Sequence, residues 1–79
     1  MLITIGSITT ATRIARLIES KTGLHGKVIH TPKEINRGGC SYSIRYNDSH
    51  EEILRRTVEK YNIPLRKWYK EASGHYDLC

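Results

Sequence analysis

At 79 residues the chain has room for one domain, and a domain of that size buries only roughly 60% of the surface its unfolded form exposes. The 38% hydrophobic and 27% charged fractions suit a folded globule and exclude a disordered tail, while a net charge of +5 favours anionic partners without choosing among nucleic acid, phosphorylated metabolites and an acidic protein face. No apolar run nears the ~20 residues of a membrane span, and "MLITIGS" lacks the basic and long apolar regions of a secretory signal, so a cytoplasmic location is expected.

Leu2, Ile3 and Ile5 read as a short first strand, broken by Gly6-Ser7, with Ser7 placed to cap a helix. From Ile8 to Lys21 the pattern is helical: Ala11, Ile14, Ala15 and Ile18 recur on one face, and Arg13, Arg16 and Glu19 face outward. Gly23 ends that helix. Lys27 to His30 is a second strand. Thr31-Pro32-Lys33-Glu34 then reads as one capped helical turn, released by Arg37-Gly38-Gly39. A third strand begins at Cys40 or Ser41, with Tyr42, Ile44 and Tyr46 on one face and Ser41, Ser43 and Arg45 on the other. Asn47-Asp48-Ser49 leads into a second helix whose buried stripe is Ile53, Leu54, Thr57, Val58 and Tyr61. Asn62 takes the left-handed cap and Pro64 prevents continuation. A last strand covers about Leu65 to Glu71.

The order β-α-β-β-α-β, with right-handed crossovers, predicts an α+β ferredoxin-like domain over residues 1–71: a four-stranded antiparallel sheet with two helices on one face. Residues 72–79 read as a C-terminal tail. Such a topology gives no function by itself.

It does place Cys40. The first and third strands are then central neighbours, so Cys40 falls beside Ser7, Thr9 and Thr10 at the start of the first helix. That end of a helix carries unpaired N–H groups and about half a positive charge, which stabilise a thiolate or bind an anion. Lys33 and Arg37 add cations, Gly38 and Gly39 allow close backbone approach, and His30 is within reach as a base. Each has a plainer reading as well: a packed thiol, helix caps, solvated loop charges and a loop closing two strands. Cys40 and Cys79 are too few for a disulfide framework, and no spacing of histidine and cysteine matches a metal site. The last strand ends at the far side of the sheet from Cys40, so no intramolecular Cys40–Cys79 bridge is expected.

"SITTATRIARLIE" followed by "VIHTPKEINRGGCSYSIRY" resembles the small selenium/sulfur (Se/S) carrier protein-like family, otherwise a domain of unknown function. The resemblance covers Met1 to Tyr46 and, more loosely, the second helix. It aligns the family's cysteine with Cys40, its proline turn with Pro32, Lys33 and Glu34, and its N-terminal loop with Ser7 to Thr10. Lys33 stands where that turn usually has arginine, which keeps the charge but loses bidentate recognition. Ser41 stands where glycine usually follows the cysteine.

The resemblance implies a sulfur or selenium carrier. The Cys40 thiolate would take the terminal atom of a donor's persulfide or perselenide and yield it to an acceptor, with Lys33 and Arg37 docking an acidic donor face. Such a protein needs no metal and no cofactor, and is a stoichiometric carrier more than an enzyme, with donor and acceptor proteins as partners. The alternative is a small basic module binding an anionic metabolite or an acidic protein, with Cys40 only structural. An edge strand leaves room for a homodimer in either case. RNA fits less well: Arg37-Gly38 opens like an RNA-recognition strand, but Gly39 and Ser41 stand where stacking aromatics belong.

Overall fold

A computed structural model describes residues 1–36 and 41–78. Strand β1 is Leu2–Gly6, followed by α1 (Ile8–Thr22), β2 (Lys27–His30), β3 (Tyr42–Arg45), a single 3₁₀ turn (Asp48–His50) running into α2 (Glu51–Lys60), then β4 (Lys67–Ala72) and β5 (His75–Leu78). The strands form one antiparallel sheet in the order β2-β3-β1-β4-β5. The class is α+β with two helices, as expected, but the sheet has five strands and so does not match a four-stranded ferredoxin-like sheet strand for strand.

The correction lies at the C-terminus. Residues 75–78, read as tail, pair with β4, Ala72 opposite His75 and Tyr69 opposite Leu78. A two-residue hairpin whose twist suits its strands needs positive φ at both turn positions. Ser73 (φ 47°) and Gly74 (φ 82°) both meet that need. Arg45 then ties the hairpin to the sheet, donating from Nε to Glu71 Oε1 at 3.0 Å and from Nη2 to the Tyr76 hydroxyl at 3.1 Å.

Helix α1 forms where its caps and apolar stripe agree. Ser7 Oγ accepts from the Thr10 N–H at 3.1 Å, Gly23 closes the helix in the left-handed region, and Ala11, Ile14 and Ile18 are buried. In α2 the stripe is narrower than expected. Leu54 and Thr57 are buried and Val58 packs on the core, but Ile53 and Tyr61 are 47% and 37% exposed. The helix is only Glu51–Lys60, so it lays one narrow face on the sheet. Asn62 adopts the expected left-handed conformation (φ 50°). β4 starts at Lys67, two residues later than the sequence suggested, and β3 is formed from Tyr42.

Both helices share one core with Ile3, Ile5, Ile44, Tyr46 and Trp68. Gly26, just before β2, lies against that core so closely that an added Cβ would fall 2.4 Å from Tyr46 Cζ and 2.5 Å from Ile44 Cγ2. Both of those side chains are buried and have nowhere to move. The Tyr46 hydroxyl is buried with no hydrogen-bond partner among the described residues, and burial, aided by the Glu19 charge, pushes its pKa up to about 12.

Two measurements follow. Gly26→Ala should lower stability by about 1–3 kcal/mol through overpacking, seen as a fall of several degrees in Tm. Tyr46 keeps its proton in the folded state while the unfolded chain loses it near pH 10. Its contribution is thus complete below pH 10 and falls away as pH rises from about 10 to 12, by of the order of 2 kcal/mol. Denaturant melts of wild type and Tyr46→Phe across that range should converge on a flatter alkaline limb for the variant. Equal slopes would show that the tyrosine is not held neutral.

Candidate functional site

The end of the sheet that carries the start of α1 is built on an irregular strand end. β1 pairs with β3 in simple register from Leu2↔Arg45 to Thr4↔Ser43, then shifts so that Gly6 faces Tyr42. Such a bulge re-aims the strand, and the residue that completes it needs unusual backbone freedom. Gly6 supplies it, at φ 125°. Its missing side chain also makes room for Arg66: a Cβ on Gly6 would lie 3.2 Å from Arg66 Nη2 and 3.3 Å from Cζ. Arg66 is itself fixed by its backbone, whose N–H donates to the Thr4 carbonyl at 2.7 Å.

On the other side of β3, His30 pairs with Tyr42. Their rings stack with centroids 4.5 Å apart, and His30 Nε2 lies 3.5 Å from the Tyr42 hydroxyl. From here the chain turns back on itself. The Ile35 and Asn36 N–H groups both donate to the Pro32 carbonyl, at 3.1 and 3.0 Å, giving the short turn expected from the Thr-Pro-Lys-Glu run. Thr31, however, does not spend its hydroxyl in a capping box. It is bonded to the Ser43 hydroxyl at 2.7 Å, both residues being buried. The Thr31 N–H also donates to the Ser41 carbonyl at 3.0 Å, and Ser41 Oγ donates to Asn36 Oδ1 at 3.3 Å. Asn36 and Ser41, the residues on either side of positions 37–40, are therefore bonded to each other beside the sheet end.

The structure brings Ser7 and Thr10 together in the cap: beyond the bond to the Thr10 N–H, the Ser7 hydroxyl donates to Thr10 Oγ1 at 2.9 Å. This engagement makes them cap residues first. Thr9 lies instead on the outer face of α1, in a shallow groove of about 470 Å³ with Ile8, Thr12, Arg13 and Arg16. Lys33 sits on the exposed side of the Pro32 turn. Arg37, Gly38, Gly39 and Cys40 lie outside the described residues, as does Cys79, so the expectations about the thiol, the glycines and a Cys40–Cys79 bridge fall there too. Among the described residues no three histidine, cysteine, aspartate or glutamate side chains form a metal-holding group, and no helix is long and apolar enough to cross a membrane.

Two contributors were not singled out from sequence. Arg66 is brought to this end by its backbone bond to Thr4 and by the space that Gly6 leaves, neither of which makes a periodic mark in the sequence. The Thr31–Ser43 pair joins two residues that sequence reading assigned to a cap and to an open sheet face. That face also carries more than Ser41, Ser43 and Arg45. Tyr69 pairs with Leu2, and Tyr76 meets Arg45. Tyr69 is buried and the Tyr76 hydroxyl is engaged, so neither is a free ring like those on which a base stacks.

The chain's sequence was compared with known proteins. The family model described as "Putative Se/S carrier protein-like" matches residues 1–70. No curated protein and no solved structure matches the chain.

The buried hydroxyl pair gives this end a test of its own. Ser43→Ala strands the Thr31 hydroxyl without a partner and should cost about 1–3 kcal/mol, whereas Thr31→Val with Ser43→Ala removes both polar groups and should recover most of that loss. Chemical denaturation of the two single variants and the double, read as a double-mutant cycle, measures the coupling. Additive losses would mean that the bond contributes nothing to anchoring.

Proposed function

The chain belongs to the Se/S carrier protein-like family, and from that premise we propose that it carries a sulfur or selenium atom on Cys40, between a donor and an acceptor protein. The observation that supports this most is the register at the sheet end. Tyr42 faces Gly6, the residue before the α1 cap, and Ser41, next in the chain to Cys40, is bonded to Thr31 and Asn36. Tyr42, two residues after the cysteine, thus stands beside the start of α1, where unpaired N–H groups and the helix dipole favour an anion.

The chemistry needs little else. The Cys40 thiolate attacks the terminal sulfur of a donor cysteine persulfide, forming a new S–S bond on Cys40 and breaking the donor's own. The donor leaves as its thiolate, the proton stays on the transferred sulfur, and nothing is oxidised or reduced overall. An acceptor thiolate repeats the step in the other direction. A positively polarised surrounding lowers the pKa of thiols generally and so raises the attacking fraction at neutral pH. Lys33, exposed on the turn before residues 37–40, and Arg37 supply charge near a docking donor.

Intact mass spectrometry after incubation with a cysteine desulfurase and cysteine tests the reading. Wild type should gain the mass of one sulfur atom, removable by a thiol reductant, and Cys40→Ser should gain none. Wild type without an adduct, whose Cys40 also resists a small alkylating agent in the folded state, would identify a packed thiol and refute the carrier.

A further inference from the structure

The outer face of α1 is charged in an unusual way for its place. Its first turn contains no acidic residue, although carboxylates there would complement the positive end of the helix dipole. Arg13 and Arg16 follow instead, both exposed and neither in an ion pair among the described residues. The only carboxylate of α1, Glu19, is bonded to His25 Nδ1 at 2.8 Å.

Helix α2 is the internal contrast. Arg55 pairs with Glu51 at 2.8 Å and Arg56 with Glu52 at 2.6 Å, both by the i,i+4 spacing that neutralises helix charge. On α1 the two arginines flank an apolar element as well. Ile8, at the first helical position, is 50% exposed and lines the same groove as Thr9, Thr12, Arg13 and Arg16. A half-exposed isoleucine beside unpaired guanidinium groups is the composition of an interface centre with a charged margin. Arg66, whose guanidinium lies over Gly6, adds a third cation one residue before the cap Ser7.

We propose that this face of α1, Ile8 with Arg13 and Arg16, is the docking surface for the sulfur-donating protein, and that the donor presents an acidic surface to it. Charge complementarity selects that partner: the face offers cations and one apolar side chain, and among the described residues no carboxylate is paired with the two arginines. The inference rests on the carrier reading above, because the same helix start follows Gly6, the partner of Tyr42. Docking here would bring the donor persulfide to the sheet end for the exchange already written, in which Cys40 gains the terminal sulfur and the donor leaves as a thiolate.

The test separates docking from the thiol's own chemistry. Loading of Cys40 is followed by intact mass, once with a cysteine desulfurase and cysteine and once with inorganic polysulfide, which needs no docking. Arg13→Glu with Arg16→Glu should slow loading from the desulfurase at low salt by about tenfold or more, and wild-type loading should fall as salt rises. Loading from polysulfide should stay within about twofold of wild type, and Arg13→Lys with Arg16→Lys should keep most of the enzyme-supported rate. Unchanged loading of the charge-reversed variant by the desulfurase overturns the docking inference and leaves the carrier intact. So does a wild type loaded by polysulfide alone. A parallel loss with polysulfide would show that the arginines act on the thiol itself, which also overturns docking. A wild type loaded by neither source refutes the carrier reading.

Discussion

Everything at the candidate end of this molecule hangs on one strand pairing, that of β1 with β3. All five residues of β1 are buried, held between β3 and β4, so its register is set by burial on both faces. A slip of one residue would turn Ile3 and Ile5 out of the core and is strongly disfavoured. The register then fixes where each neighbouring segment arrives. Arg66 is delivered by its bond to Thr4, Tyr42 by its pairing with Gly6, and α1 by the chain leaving Gly6. The bulge between Thr4 and Gly6 relaxes the ladder only at its end, where the backbone changes direction into the helix cap.

Much of this was legible in the sequence because local signals agreed with the global pattern. Ser7, the stripe Ala11, Ile14 and Ile18, and Gly23 all specify the same helix, and tertiary packing had nothing to override. The β2 segment was equally plain. What could not be read was non-local or weakly patterned. β5 alternates His75, Tyr76, Asp77 and Leu78, too polar to announce a strand, and only the Ser73-Gly74 turn chemistry marks it. Ile53 and Tyr61 fit a helical stripe by spacing. A ten-residue helix on the rim of a small core does not cover them, which periodicity alone does not reveal. The ring of Tyr61 is instead flanked by Lys21 and Lys60 nitrogens at 5.4 and 5.6 Å. Of the corner of caps and cations expected from sequence, the cap itself, Ser7 with Thr10, is what the described residues form. Arg66 and the Thr31–Ser43 bond were not legible, since both depend on register.

The distribution of charge carries its own argument. The first two carboxylates of α2, Glu51 and Glu52, are committed to neighbouring cations, and hydrogen bonds from Lys70 and Arg55 hold the Glu51 pKa below the usual carboxylate value. Glu71 is taken by Arg45 and Asp77 lies by His75. Among the described residues Arg13, Arg16 and Arg66 are in no ion pair, and neither are Lys27, Lys33 and Lys67. Unpaired charge of this kind contributes little to folding, and what it governs is encounter: which partner approaches, at what rate and from which side.

Anchoring is the complement of that steering. On the proposed carrier reading, the transferred atom has to be within reach of two different proteins. The bonds of Thr31 to Ser41 and Ser43, and of Ser41 to Asn36, hold the described residues on either side of positions 37–40 in place. The Thr31–Ser43 bond is made inside the protein, where water does not compete for it, and so its strength is least diminished. In so small a domain this buried polar pair stands where apolar packing could, and it ties the segment after β2 to β3 at this end of the sheet.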